Sequence, residues 1–170
     1  ILLHRFMLHF DKRGFLFPYD VILSDIPTFH HAFVDKIPDP VRIEIFENFI
    51  QFAKSFLADL SLVNLQVFLD GSFTTLKRTP NDLDIVVCVD LKTFQRYESL
   101  FQTKYHRQAL LKNRLDIYFI HVYPDNHPNH IFTESDRLYW INQFTRTRPD
   151  YRGIIHKKGV IELILSAHEI

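Results

Sequence analysis

Three aspartates stand out by type and setting. Asp82 and Asp84 flank Leu83 at the head of an apolar, β-branched run that continues to Val89. Asp116 lies in Arg114-Leu115-Asp116-Ile117-Tyr118 at the head of another such run. In an extended chain residues i and i+2 project from the same side, so Asp82 and Asp84 point together. Two close carboxylates repel and need a compensating cation or a wet edge. A divalent metal is the natural compensator. With Asp116 added from an adjacent strand, the result is an all-oxygen set of three that suits Mg²⁺ or Mn²⁺ far better than zinc. Metals held this way usually bridge to substrate phosphates. The second half of the constellation is Phe68-Leu69-Asp70-Gly71-Ser72-Phe73, a strand that stops at Gly-Ser. Gly71 lets the backbone approach a ligand with no Cβ in the way. Ser72 offers a hydroxyl and a backbone N–H at an expected helix start, a seat for phosphate.

Each signal alone has an ordinary explanation. Asp-x-Asp at the head of a strand is commonly two solvated carboxylates, and Gly-Ser after a strand is commonly a turn followed by a helix cap. Lys77 and Arg78, in the loop between the two motifs, can meet a triphosphate or an acceptor, although such residues more often just face water. Asp70 is either a fourth acid at the edge of the site or a strand-end residue facing away. Taken together, Gly71-Ser72, nine intervening residues, Asp82-Leu83-Asp84 among apolar neighbours and Asp116 in a later strand resemble the nucleotidyltransferase superfamily of the polymerase-beta type. The run from Leu69 through Thr75, followed by Pro80-Asn81-Asp82-Leu83-Asp84-Ile85-Val86-Val87, is similar to small bacterial stand-alone nucleotidyltransferase-like proteins, some of them paired with toxins or defence genes. The resemblance is strong over residues 65–122 and thin outside them.

The resemblance implies an α+β (α/β) chain with a minimal nucleotidyltransferase fold, a short mixed sheet flanked by helices. It implies an Mg²⁺- or Mn²⁺-dependent enzyme that transfers a nucleoside monophosphate, AMP from ATP or its counterpart from another NTP, to a hydroxyl. The acceptor would be a protein or a nucleic acid, and the setting a toxin–antitoxin or defence pair with a partner toxin or antitoxin. Asp82 and Asp84 would hold the metals, and the β- and γ-phosphates would lie near Gly71 and Ser72, with Lys77 and Arg78 close by. Asp116 would help bind the catalytic metal and activate the acceptor hydroxyl. The competing reading is a non-catalytic module of the same fold that binds nucleotide or a protein partner; the presence of all three acids argues against it.

These residues need elements to position them. Asp39-Pro40 reads as a helix start, and Ile45, Phe49, Phe52, Ala53, Phe56, Leu57 and Leu60 recur at steps of three and four, one apolar helical face. Leu65–Leu69, Leu83–Val89 and Leu115–Val122 read as strands. A helical pattern covers residues 91–104, and a further helix is expected from about Glu134 to Phe144, capped by Thr133 or Ser135. Lys158–Leu165 is strand or helix. One domain is expected over 1–170: an extended leader with a short strand or two (1–40), a core carrying the motifs (41–122) and a C-terminal helix with a basic segment (123–170).

The composition excludes several classes. At 170 residues, 46% hydrophobic and 24% charged, with 17 phenylalanines, the chain can bury an aromatic core. Lys+Arg 20 against Asp+Glu 20 gives no global basic field, so any nucleic-acid contact must be a local patch. Two basic runs offer one, Arg146, Arg148, Arg152, Lys157 and Lys158, and Lys104, Arg107, Lys112 and Arg114. No apolar run reaches the roughly 18 residues that span a bilayer, so no membrane partner is expected. Ile1–Phe6 lacks a basic leader and a cleavage site and does not read as a signal peptide. Cys88 is the one cysteine, which excludes a disulfide framework and favours a reducing, cytoplasmic compartment. The pairs His30-His31 and His127/His130 lack the partners of a zinc motif, and Trp140 reads as core or as a stacking face for a base.

Overall fold

The computed structural model describes residues 7–170; the reading of Ile1–Phe6 falls outside them. The chain is α+β, a five-stranded mixed sheet with helices on both faces and a separate two-stranded hairpin, β1 (His9–Phe10) with β2 (Leu16–Phe17). The sheet runs β3-β7-β4-β5-β6, where β3 is Val21–Leu23, β4 Asn64–Asp70, β5 Leu83–Asp90, β6 Leu115–Val122 and β7 Val160–Ser166. β4 pairs antiparallel with β5 and β7, while β5–β6 and β3–β7 are parallel.

Strand alternation divides the residues between two faces. Leu65, Val67, Leu69, Ile85, Val87, Ile117 and Leu163 turn toward the main core. That core is completed by α2 (Pro40–Asp59), whose Ile45, Phe49, Phe52, Ala53, Phe56 and Leu57 are buried at helical spacing. The helix starts where expected: Pro40 takes the first helical position and the Asp39 carboxylate accepts from the Val41 N–H at 2.9 Å. The opposite face carries Phe68, Val86, Ile120 and Val160, a small cluster covered by Phe144 and Trp140 of α6 (His130–Phe144).

Three elements depart from the sequence reading, and one that it leaves open resolves. The leader is not merely extended, because α1 (Ile26–His30) follows an Asp25 cap, with Thr28 N–H to Asp25 Oδ1 at 2.7 Å, and runs into a π-helical turn, His31–Asp35. The helical pattern over 91–104 breaks into α3 (Leu91–Arg96) and α4 (Glu98–Gln102), and α5 (Arg107–Leu111) follows before β6. The helix expected from Glu134 starts four residues earlier. Thr133 does not cap it: its hydroxyl accepts from Tyr123 N–H at 2.8 Å and donates to the His121 carbonyl at 3.2 Å, tying the helix to the end of β6. The last segment, open between strand and helix, is β7, inserted between β3 and β4. Among the described residues no helix is long and apolar enough to cross a membrane.

Candidate active-site cleft

Register sets the acids in line. Asp70 at the end of β4 pairs with Asp84 of β5, and Asp84 pairs with Asp116 of β6, so three carboxylates form one cross-strand row. The row shares the face of Phe68 and Val86 and lies just beyond that small cluster. Here the chain leaves β4 through Gly71, at φ +90°, a conformation that costs a side-chain-bearing residue dearly. A Cβ on Gly71 would come within 2.4 Å of Asp84 Oδ2. Glycine is therefore what allows the Asp84 carboxylate and the backbone turn to meet.

No helix follows Ser72, contrary to the expectation of a helix start; residues 71–79 form turns and bends. The Ser72 hydroxyl accepts from the Asn81 N–H at 3.2 Å, and its carbonyl accepts from Thr75 Oγ1 at 2.8 Å, which closes the loop on itself. The loop is fixed from beneath by Arg42 of α2, which is fully buried. All five of its N–H donors go to backbone carbonyls: Nε to Arg78 at 2.9 Å, Nη1 to Phe33 at 3.0 Å and Phe73 at 2.8 Å, Nη2 to Thr75 at 2.8 Å and to Lys77. Burial brings the guanidinium down to about 10, where it is still charged at neutral pH. Lys77 and Arg78 thus lend their carbonyls to the scaffold and leave their side chains exposed.

An open cleft of about 1120 Å³ lies over this region. Gly71, Ser72, Lys77, Asp82 and Asp84 all line it, as do Asp70, Tyr118, Trp140, Arg148 and Lys158; Asp116 and Arg78 do not. The acids differ sharply in environment. Asp70 is buried against Lys158, whose ammonium lies 2.7 Å from Oδ1 and donates to Oδ2 at 2.8 Å. Burial outweighs that partner and, with the nearby Asp84 charge, pushes Asp70 up to about 7. Asp84 is pushed up to about 6 by burial and by the charges of Asp82 and Asp116. Asp116 goes the other way. Burial would raise it, but Arg107 Nε at 2.5 Å and Nη2 at 2.7 Å, with the Tyr118 hydroxyl at 3.1 Å, hold it below the usual carboxylate range.

The three carboxylates expected to form one metal set consequently share a face without converging. Among the described residues no group of three His, Cys, Asp or Glu is placed to hold a metal ion. The reason is local, since Arg107 and Tyr118 occupy the Asp116 oxygens. Mg²⁺ is normally held by one or two carboxylates together with substrate phosphates rather than by an all-protein cage. Asp82 and Asp84, together on the cleft wall, fit that donor set; Asp116 in its clasp adds no third ligand. The histidine pairs are engaged in other ways: His30 and His31 both reach Asp35, at 3.2 and 3.3 Å, and His127 Nδ1 accepts from Asn129 N–H at 3.1 Å.

Sequence reasoning missed the partners of the acids. In the sequence Lys158 shows only as part of a basic run, 88 residues from Asp70. Tyr118 was available, because it is two residues after Asp116 on a strand and must share its face. Trp140, its ring 4.3 Å from that of Tyr118, forms part of the cleft as well as of the small core. No curated protein and no solved structure matches the chain; a family model does, that of a family of unknown function (DUF6932), over residues 8–164.

Proposed function

The chain belongs to that family, and from the residues of its cleft we propose that it is an Mg²⁺-dependent nucleotidyltransferase, moving a nucleoside monophosphate from an NTP, ATP foremost, to an acceptor hydroxyl. One observation carries the reading. The Gly71-Ser72 turn and the Asp82/Asp84 pair, separate in sequence, form one wall of the same cleft, packed so closely that Asp84 Oδ2 occupies the space of a Gly71 side chain. Asp82 and Asp84 would hold the metal, which when bound supplies charge neutralisation of the phosphates and of the in-line transition state.

The remaining work falls to the chain's own groups. Gly71 and Ser72 bring backbone close to the phosphates with no side chain between, and the Arg42 scaffold keeps that loop from yielding. Trp140 offers a ring face to the nucleobase. In the transfer the acceptor oxygen bonds to the α-phosphorus, the α–β P–O bond breaks, and pyrophosphate departs with its electron pair. For Asp116 Oδ2 to take the hydroxyl proton, Arg107 and Tyr118, which hydrogen-bond that oxygen and close it off from the cleft lining, must give way.

The same clasp favours a second reading, a module that binds nucleotide without turning it over. A thermal-shift titration with ATP, GTP, CTP and UTP, with and without Mg²⁺, tests both on wild type and on Asp82→Ala/Asp84→Ala. A ligand at a hundred times its Kd adds about 2.7 kcal/mol. A metal-dependent shift lost in the variant supports the site, and turnover of α-labelled NTP then separates enzyme from module. No shift with any nucleotide sinks the reading.

A further inference from the structure

We propose that the cationic rim of the cleft seats a single-stranded nucleic acid, and that this strand presents the acceptor hydroxyl; the second clause rests on the nucleotidyltransferase reading, the first does not. A cleft of about 1120 Å³ exceeds the roughly 300–1,000 Å³ of ordinary small-molecule sites, which leaves room for a second substrate beside a nucleotide. The cations around it then fall into two groups. Arg13 and Lys158 are neutralised, by Asp11 at 2.8 Å and Asp70 at 2.7 Å. Arg146, Arg148 and Lys157, the last beside the cleft rather than in its lining, have no carboxylate within ion-pair distance among the described residues, and neither has Lys77 of the lining.

Two of these are set against each other. Arg146 and Lys157 face one another in an isolated antiparallel bridge, and neighbouring hydrogen bonds, Lys158 N–H to the Thr145 carbonyl and Thr147 N–H to the His156 carbonyl, both 2.9 Å, lock that pairing. Like charges directly opposed across a bridge are destabilising. A phosphate between them turns the repulsion into attraction, and a chain of net charge zero has no other field to draw a polyanion here.

The aromatic residues select the kind of polyanion. Tyr139, 56% exposed, lines the cleft beside Trp140; Tyr151, outside the lining, is 93% exposed, with the guanidinium of Arg152, itself 3.7 Å from Asp150, 5.3 Å over its ring. Large ring faces held in water beside phosphate-binding cations are what unpaired bases stack on. A duplex hides those base faces, and an acidic peptide has none.

The test is fluorescence anisotropy with labelled single strands of about 20 nucleotides, one RNA and one DNA, without nucleotide or Mg²⁺. A duplex of the same sequence and a poly-glutamate chain serve as rivals. The proteins are wild type, Arg146→Gln/Arg148→Gln/Lys157→Gln, and Asp84→Asn, each shown folded by circular dichroism. Wild type is expected to bind the single strand tightest, and comparing RNA with DNA identifies the sugar. The triple variant is expected to lose at least about tenfold in affinity, and its plot of log K against log salt to become shallower by about 2, near 0.7 per phosphate contact. Asp84→Asn is expected to keep strand binding while losing the nucleotide shift. A nucleotide shift without strand binding overturns the proposal and spares the function above; strand binding without a nucleotide shift does the reverse. Equal binding of poly-glutamate or duplex, or an unchanged triple variant, also overturns it.

Discussion

The two faces of the central sheet are built to different ends. Toward α2 the strands offer Leu65, Val67, Leu69, Ile85, Val87 and Ile117 to a core dense with phenylalanine rings, and no charged side chain interrupts them. Toward α6 they offer Phe68, Val86 and Tyr118 in one cross-strand row, and then, one same-face step along each of the three strands, Asp70, Asp84 and Asp116. A one-residue change of position moves a side chain from one face to the other. The fold is thereby anchored on one side by apolar packing, while the other carries the row of carboxylates that lines and borders the cleft.

Substitutions that should separate the two faces follow in order of expected effect. Phe56, fully buried and in ring contact with Phe101, Tyr105 and Phe119, should lose about 3–5 kcal/mol on truncation to alanine. Urea unfolding reads that loss, and the nucleotide-induced shift of the protein that remains folded should persist. A loss of that shift would mean that the faces are coupled. On the other face the largest effect should come from charge rather than volume. Lys158→Met strands Asp70 in a buried site and should cost about 3 kcal/mol, much of it recovered in Asp70→Leu/Lys158→Met. If the double variant is no more stable than the single, the ion pair holds structure beyond its own charges.

Gly71→Ala should cost about 2 kcal/mol, part from the positive φ and part from the collision with Asp84. Adding Asp84→Ala should relieve only the second part, which a double-mutant cycle resolves. The smallest effect is on pH. Asp84 sits at about 6 in the folded chain, above its unfolded value, so the native state holds the proton more tightly. Its contribution to stability is complete at pH values below the unfolded pKa and is lost as pH rises through about 6, by about 1–2 kcal/mol once solvent in the cleft is allowed for. Asp84→Asn should flatten that part of the profile. Mg²⁺-dependent nucleotide binding should run the opposite way and strengthen as pH rises through the same range, since the metal requires the carboxylate.

What could be read in the sequence follows the same division. α2 was legible because a single apolar face repeats seven times with a Pro start, and β5 and β6 because β-branched runs bounded by polar loops leave little else. β7 was not, because its exposed positions do not read as polar: Ile164, 57% exposed, stands between the buried Leu163 and Leu165, so an apolar residue on the open face hides the alternation of the strand. At the site, the acids and Gly71 were legible by type and spacing. Their partners were not. Lys158 reaches Asp70 only through the sheet order, and Arg107 stands on a five-residue helix too short to show a pattern. Register also turned a pair of acids into a row, bringing in Asp70, whose orientation the sequence left open.

The buried guanidinium of Arg42 has a consequence for how this cleft can change. The contour of the loop over residues 73–78 is held through backbone carbonyls, groups that every amino acid possesses. The side chains displayed there, Lys77 and Arg78 among them, can be exchanged without redrawing the wall that displays them. Selectivity at the mouth of the cleft is thus separable from its architecture so long as the Thr75 hydroxyl, which ties the loop to the Ser72 carbonyl, and Arg42 are kept, and for Arg42 lysine, with its three clustered donors in place of a planar five, is no substitute.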